Sequence, residues 1–397
     1  MTPVIAWASA SALLTVSALG LWLDRARRGG PLELAALLPL LPLVMLVTGL
    51  WTPAPVVAPL LAALVVALLT RSRDDVLHSE CALKLMWVLG PALALSFAGV
   101  ALLAIGTGTS VLAEQWAVLA MPIEPAMLWT TSLALSLLLG FVLLGGAPFH
   151  FWTADMMQGV RPWLAALAVS ALQASGAAWL AWRLEGVEAL HEASKIAGAL
   201  LGLAAGVAFV AGAFTLPFQR RPERRVGTLA SLNGGLVLAW LAVRHGGGAV
   251  ATLPPPATAL WSTHLAMALA GAATLAPFLP VTVKSAAPGS VLFRRHPMWG
   301  ALGLYSLASL AGVPGTPGSL IWFGVARLLV ASSRTALLLA LALAGVTAFA
   351  IAVRQVREAY GVWSVAPLPP RGVPAPARWA MLFGVAGLVA LAIGLRG

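Results

Sequence analysis

The sequence is poor in cysteine and in charge, and both shortages exclude classes of protein. Its 397 residues include one cysteine, Cys81. A single thiol excludes an intramolecular disulfide and any metal or iron–sulfur site built from several cysteines. Charged residues make up 9% of the chain and hydrophobic residues 60%, whereas about a quarter of the residues in soluble proteins are charged. The composition therefore predicts a polytopic membrane protein without a soluble domain.

Apolar runs long enough to cross about 30 Å of hydrocarbon recur along the whole chain. We predict twelve spans, at residues 3–23, 32–51, 55–69, 83–105, 128–144, 162–182, 196–218, 226–243, 257–281, 299–330, 335–353 and 378–395. The tenth run is too long for one straight helix and contains VPGTPG at residues 313–318, so we interpret it as one discontinuous helix. The first run has no basic residues before it, which indicates a retained helix rather than a signal peptide.

The net charge of +11 suggests nucleic-acid binding when taken alone. If the N-terminus is outside, however, 18 of the 24 Lys and Arg residues lie at the cytoplasmic ends of the predicted spans. The positive-inside rule explains such a bias without a nucleic acid. It also supports treating the tenth span as one crossing, and it predicts that both termini lie outside.

Two of the predicted spans are interrupted. One contains Gly145 and Gly146 followed by Pro148, and the other contains the run from Pro314 to Gly318. Unwound backbone in hydrocarbon needs protein or water to satisfy its peptide groups. A Gly/Pro kink at a helix end explains either break alone, but paired broken helices at corresponding positions are typical of inverted-repeat transporters. We therefore predict two inverted repeats.

Four segments, taken in order, carry a family resemblance. They are ECALKLMWVLGPALALSFAGVALLAIGTGT at residues 80–109, PFHFWTADMMQG at 148–159, RRVGTLASLNGG at 224–235 and YSLASLAGVPGTPGSLIWFG at 305–324. The chain resembles the antiporter-like subunit N of bacterial respiratory complex I, the NADH-quinone oxidoreductase. This family also resembles subunits of multisubunit cation/proton antiporters. The second segment, which matches Pro-Phe-His-Phe-Trp-x-x-Asp-x-x-x-Gly, is the most specific.

The resemblance implies an all-α polytopic fold of about twelve transmembrane helices, from which two N-terminal helices of the family are missing. Residues 1–30 would form a peripheral N-terminal helix and residues 31–183 the first inverted repeat of about five helices. Residues 184–375 would form the second repeat, with basic cytoplasmic loops, and residues 376–397 a C-terminal helix. The implied location is the bacterial inner membrane, and the implied partners are the lipid bilayer and other membrane-arm subunits. NADH, FMN, iron–sulfur clusters and quinone would be bound by partner subunits, with none in this chain.

The positions at which the family places mid-membrane ionisable residues hold other residue types here. In the family a Glu and several Lys residues pass protons along a hydrated axis. The corresponding positions in this sequence are Leu61, Leu143 (or Val142), Gln173 and Trp322, and a family His falls on Asn233 or Gly234. Leu, Gln and Trp cannot bind and release a proton. We therefore predict a proton-silent subunit with no catalytic, cofactor or metal site of its own.

Other polar residues have more than one interpretation. His264 is titratable and lies deep in a span, so it could relay a proton, although a neutral His bonded to a neighbouring helix is the favoured interpretation. His150 is either structural or placed at a channel mouth. Lys84 forms either a surface pair with Glu80, which we favour, or a channel-mouth cluster that includes His78. Gln173 could hold water where a Lys stands in the family, or could form an ordinary interhelical hydrogen bond.

Three functional alternatives remain at the level of the sequence. The chain could be an active proton channel whose path runs through His264, His150 and ordered water. It could belong to a related hydrogenase or inorganic-carbon uptake complex, because these assemblies share the antiporter-like fold. A stand-alone ion antiporter is disfavoured, since a carrier needs charged coupling sites at the midplane.

Overall fold

The computed structural model describes residues 76–119, 126–160, 162–185, 187, 191–246, 258–278, 297–360 and 375–394. Its α-helices are α1 Val76–Thr107, α2 Leu112–Leu119, α3 Ala126–Leu143, α4 Phe151–Gly159, α5 Pro162–Arg183, α6 His191–Thr215, α7 Pro222–His245, α8 Thr258–Leu275, α9 Pro297–Leu310, α10 Pro317–Ala331, α11 Thr335–Tyr360 and α12 Ala375–Gly394. These ranges contain no β-strand, so the prediction of an all-α fold is confirmed. The first three predicted spans, and Leu61 with them, lie outside the described residues.

Four of the described helices are long and apolar enough to cross a membrane. They are Leu83–Thr107, Ala193–Phe218, Pro222–His245 and Thr335–Tyr360, and each coincides with a predicted span. The outer faces of α1 and α11 present large apolar side chains, such as Trp87 and Val346, which are 71% and 68% exposed. Apolar surface of this kind suits contact with lipid rather than water. The chain is therefore a multi-pass membrane protein, while the count of twelve spans and the two repeats stay predictions.

Helix α7 occupies the centre of the bundle. Its residues from Arg225 to Val243 are buried on every side, and it contacts α4, α6, α8, α9, α10 and α11. Glycine allows this close packing at particular points. A Cβ at Gly227 would come within 2.5 Å of the backbone of Ala154 in α4, and a Cβ at Gly234 would overlap the carbonyl of Leu144. The end of α3 and helix α4, which lie on the two sides of the first break, therefore both pack closely on α7 at its glycines.

Ion pairs join several helices at one end of the bundle, which we call the basic end. Arg225 Nη1 in α7 lies 2.9 Å from Glu358 Oε2 in α11, and both side chains are less than a tenth exposed. Arg354 also pairs with Glu358, at 2.6 Å. Arg224, the neighbour of Arg225, lies 2.5 Å from Asp155 Oδ1 in α4. Two adjacent arginines of α7 thus bind acidic residues on two different helices.

The opposite end of the bundle, which we call the far end, is held by hydrogen bonds to backbone carbonyls. Ser194 Oγ at the start of α6 donates to His245 O at 2.6 Å. Arg334, just before α11, donates from Nη2 to Gly246 O at 3.3 Å. The last turn of α7 is therefore tied to both helices that begin beside it.

The first break lies between α3 and α4, where the sequence predicted it. Gly145 adopts a φ of 73°, a conformation that favours glycine. Its N–H donates to Val142 O at 2.9 Å, and the N–H of Gly146 donates to Phe141 O at 2.8 Å. This pair of bonds is the Schellman arrangement that ends many α-helices. Helix α3 therefore ends in a hydrogen-bonded cap at the first break.

The second break lies between α9 and α10 and repeats this arrangement. Gly312 has a φ of 69°. Its N–H donates to Ser309 O at 3.1 Å, and the N–H of Val313 donates to Ala308 O at 3.0 Å. The same cap with a left-handed glycine thus ends both broken helices, as a pair of repeats would predict.

Candidate functional site

The candidate site is a line of buried polar side chains that connects the two breaks through α7. It consists of Gln173 in α5, Ser231 and Asn233 in α7, His264 in α8 and Ser309 in α9. Each of these side chains is at most 2% exposed. We call this set the polar line. It crosses the bundle at the level of the breaks, where helix ends leave backbone carbonyls without intrahelical donors.

At the first break, the polar line supplies the missing donors. Gln173 Nε2 donates to Leu144 O at 3.0 Å and to Ala230 O at 3.1 Å. Ser231 Oγ donates to Gly145 O. The carbonyls at the end of α3 therefore receive hydrogen bonds from α5 and α7. Gln173 acts here as an interhelical cap on a broken helix, with its amide N–H₂ directed at the break.

At the second break, Asn233 performs the same task. Its Nδ2 donates to Leu310 O at 2.8 Å and to Leu229 O, within its own helix, at 2.9 Å. Trp261 of α8 donates from Nε1 to Asn233 O at 3.0 Å. A neutral amide thus stands against the carboxyl end of each broken helix. Each amide oxygen, Gln173 Oε1 and Asn233 Oδ1, has no hydrogen-bond partner within the described ranges.

His264 forms the far side of the polar line. Its Nε2 lies 3.0 Å from Ser309 Oγ, and the same hydroxyl oxygen accepts the N–H of Gly318 at 3.1 Å. The serine therefore links the imidazole to the first turn of α10. Nδ1 of His264 has no hydrogen-bond partner among the residues that the structure describes. Buried polar atoms of this kind are typical positions for ordered water.

Apolar side chains occupy two further positions, Leu143 and Trp322, which the sequence comparison with the family predicted to correspond to ionisable residues. Leu143 is 0% exposed, and it packs so closely on α5 that a Cβ at Gly176 would lie 2.7 Å from its own Cβ. Trp322 is 6% exposed; its indole ring covers Gly312 and lies 3.8 Å from the position of a Cβ on Gly345. Both side chains occupy volume between a break and a neighbouring helix, and neither has a group that binds a proton at neutral pH.

The structure places Lys84 and His150 outside the polar line. Lys84 Nζ lies 2.6 Å from Glu80 Oε1 and 3.7 Å from Asp155 Oδ2, with its side chain 45% exposed at the basic end. His150 is the N-cap residue of α4 and makes no side-chain capping bond. The geometry of Lys84 matches a surface pair within α1 that Asp155 extends to a second helix, α4.

The ion pairs at the basic end were not predicted from the sequence. Asp155 lies within the PFHFWTAD motif and Arg224 opens the third matched segment, so the motifs contained the signal but not the pairing. Cys81 belongs to the same region, because its Sγ donates to Asp155 O at 3.1 Å. Burial, and secondarily the charge of Asp155, raise the pKa of this thiol to about 11. Cys81 is therefore a protonated, structural cysteine at neutral pH.

An all-helical membrane bundle with two capped breaks and a polar line between them has the fold of the antiporter-like membrane subunits. A chain of respiratory complex I from Thermus thermophilus superposes with a TM-score of 0.69 and 22% identity, over 98% of this chain and 84% of that one. A chain of the Mrp complex from a Dietzia species gives 0.66 and 15% identity, over 98% and 81%. A chain of the archaeal membrane-bound sulfane sulfur reductase gives 0.69 and 16%, over 98% and 80%. These identities establish the fold.

In sequence, the chain is similar to NADH-quinone oxidoreductase subunit N 1 of Solidesulfovibrio magneticus. The two sequences are 32% identical over 187 residues, which is 47% of this chain and 38% of the relative. No family model matches the chain. The resemblance to subunit N that the four motifs predicted is confirmed by this relative and by the solved structures.

Proposed function

We propose that this chain is a membrane-arm subunit of a complex I-like, redox-driven ion-translocating assembly, and that it does not itself translocate protons. It would reside in the bacterial inner membrane with both termini outside. Other membrane-arm subunits would surround it, and NADH, FMN, iron–sulfur clusters and quinone would be bound by partner chains. Its role would be to complete the membrane arm, with no redox catalytic site of its own.

One observation carries the proton-silent part of the proposal. The amides of Gln173 and Asn233 already satisfy the carbonyls of the two breaks, and Leu143 and Trp322 fill the neighbouring volume. A proton path through the membrane centre requires groups that alternate between charged and neutral forms. The amides of Gln173 and Asn233 are uncharged caps on the broken helices, which supports the proposal that no such path runs through them.

Co-purification tests the assembly. The tagged chain would be extracted from its native membrane with a mild detergent, and every co-purifying protein would be identified by mass spectrometry. We expect subunits that bind flavin, clusters and quinone. Recovery as a lone monomer or homodimer would contradict the membrane-arm proposal, whereas recovery with a hydrogenase or carbon-uptake subunit would assign the chain to one of those related complexes.

Proton counting tests whether this chain contributes to proton translocation. The assembly would be reconstituted into liposomes, and protons translocated per electron pair would be measured for the natural chain and for His264→Gln. Glutamine keeps a hydrogen-bonding group toward Ser309 but cannot relay a proton at neutral pH. We expect an unchanged ratio.

A second candidate function rests on the unpartnered polar atoms of the polar line. Gln173 Oε1, Asn233 Oδ1 and His264 Nδ1 lack hydrogen-bond partners within the described ranges, and water bound there could connect His264 to the breaks. An active channel along this path predicts that His264→Gln lowers the proton ratio while the assembly and its electron transfer remain intact. Ser175→Ala, on the same helix as Gln173 but outside the polar line, is the matched control.

A further inference from the structure

Arg183, the last residue of α5, is a buried cation without a counter-charge in the described part of the chain. Its side chain is 1% exposed, and no ion pair to it occurs among the described residues. Its Nε and Nη2 atoms are buried and have no hydrogen-bond partner there. A buried charge is costly unless it is paired and hydrogen-bonded. The described residues therefore supply no anionic component at this site.

The two unpartnered nitrogens define the shape of that component. Nε and Nη2 form one edge of the guanidinium, and their N–H bonds point in parallel from it. This edge is the fork that binds two oxygens of a phosphate or carboxylate at once. A water molecule can accept from these N–H groups but carries no charge to balance the guanidinium. The open edge of Arg183 is thus matched to a group with two anionic oxygens.

Aromatic rings hold the guanidinium in place. Its Cζ lies 5.2 Å from the centre of the Trp182 ring and 5.9 Å from the centre of the Trp116 ring, within the range of cation–π attraction. Trp116 in α2 has a buried Nε1 with no partner in the described ranges, and the neighbouring Gln115 has an Oε1 in the same condition. Further polar groups without partners therefore accompany the arginine.

The position of the site in the bundle indicates which anion is present. Arg183 lies at the far end, just beyond the predicted span, and Trp116 and Trp182 lie beside it. Tryptophan is enriched at the level of lipid headgroups. Residues close in sequence to Arg183 and Trp116 are exposed. They are Ala181 and Glu185 beside Arg183, and Ala117 beside Trp116. The buried guanidinium is therefore flanked by exposed residues at the end of α5 and in α2.

We propose that Arg183, with Trp116 and Trp182 on its faces, binds the phosphate group of an anionic phospholipid in the leaflet at the far end. The open fork binds two phosphate oxygens, and the indole rings contact the glycerol and the upper acyl chain. This inference does not depend on whether the chain conducts protons. It also places an anionic-lipid site at the end of the molecule opposite the basic loops, where the positive-inside pattern alone would not predict one.

The test uses the full-length chain, purified from native membranes in mild detergent, and native mass spectrometry with added phosphatidylglycerol. The variants are Arg183→Gln, which removes the fork, and Arg327→Gln, which removes an exposed arginine of α10 as the matched control. We expect Arg183→Gln to weaken phosphatidylglycerol binding by about tenfold or more, because a charge-assisted bidentate contact is lost, and Arg327→Gln to leave it unchanged.

Further arms separate the sources of phosphate and protect the test against misfolding. Inorganic phosphate at the same concentration should not displace the lipid, and phosphatidylcholine should bind more weakly than phosphatidylglycerol. If Arg183→Gln does not fold, Arg183→Lys replaces it, because lysine keeps the charge but cannot bind two oxygens side by side. This variant should bind the lipid several-fold more weakly than the natural chain. Equal lipid binding by the natural chain and the Arg183 variants would overturn the proposal. Displacement of the lipid by inorganic phosphate would overturn it as well, and so would a cross-link from position 183 to a carboxylate of a neighbouring subunit.

Discussion

Replacing Gln173 by Leu should reveal what the amide contributes at the first break. The substitution keeps approximately the same volume, so it creates little cavity, but it removes the donor to Leu144 O and Ala230 O. Ala230 lies inside α7 and keeps its intrahelical donor. Leu144 O lies at the end of α3 and loses a donor that no other helix replaces. An orphaned buried carbonyl costs about 1–3 kcal/mol, so we expect Gln173→Leu to lower the free energy of unfolding by that amount.

The measurement is reversible unfolding in mixed micelles, followed by the fluorescence of the 16 tryptophans. Ser175→Ala is the matched control, because Ser175 lies on the same helix and bonds only to Ala171 O in its own helix, at 2.8 Å. We expect the control to change stability by less than about 0.5 kcal/mol, since such back-bonds contribute little to a helix. If Gln173→Leu is no more destabilising than Ser175→Ala, the capping role of the amide is refuted.

Further predictions concern packing, charge and reactivity. Gly234→Ala would push a Cβ into the carbonyl of Leu144 and should lower the free energy of unfolding by about 1–3 kcal/mol. Gly324→Ala is the control: its Cβ meets nothing within 4 Å, so it should be neutral or stabilising by up to about 1 kcal/mol. Equal effects of the two variants in the same unfolding assay would contradict this packing. Glu358→Ala leaves Arg225 buried without this carboxylate and should lower the free energy of unfolding by about 3–5 kcal/mol. In a double-mutant cycle, the double variant with Arg225→Ala should lose less stability than the sum of the two single variants. Additive losses would show that the pair is not coupled. The pKa of Cys81 is raised to about 11, so about one thiol in a thousand is ionised at pH 8. The rate of its alkylation by iodoacetamide should therefore increase about tenfold per pH unit up to pH 11. A rate that levels off near pH 9 would contradict the raised pKa.

The sequence predicted the features whose causes are local. Glycine and proline near Gly145 and within Val313–Gly318 break helices through their own backbone chemistry, so both breaks were placed correctly. The apolar runs likewise predicted the long helices that the structure describes. The short helices α2 and α4 were missed, because Leu112–Leu119 and Phe151–Gly159 lie within connections that carry no spanning apolar run.

The features that the sequence did not predict depend on distant residues. Arg225 and Glu358 are separated by 133 positions, and nothing in either local segment indicates the other. The role of Gln173 as a cap depends on Leu144 and Ala230 meeting it from two other helices. Similarly, the sequence marks Arg183 only as a positively charged span end. Its burial beside Trp116, with no counter-charge among the described residues, becomes visible only when α2 is packed against α5.

The adjacent arginines at the start of α7 have a consequence for the rotation of that helix. Successive residues on an α-helix are about 100° apart, so pairing Arg224 with α4 and Arg225 with α11 sets the angle of α7 about its own axis. Ser231 lies two turns from Arg224 on the same face, whereas Asn233 is about 200° around from Ser231. Two arginines at the basic end therefore direct one polar side chain of α7 at each break. A rotation of α7 that improved either contact would weaken the other.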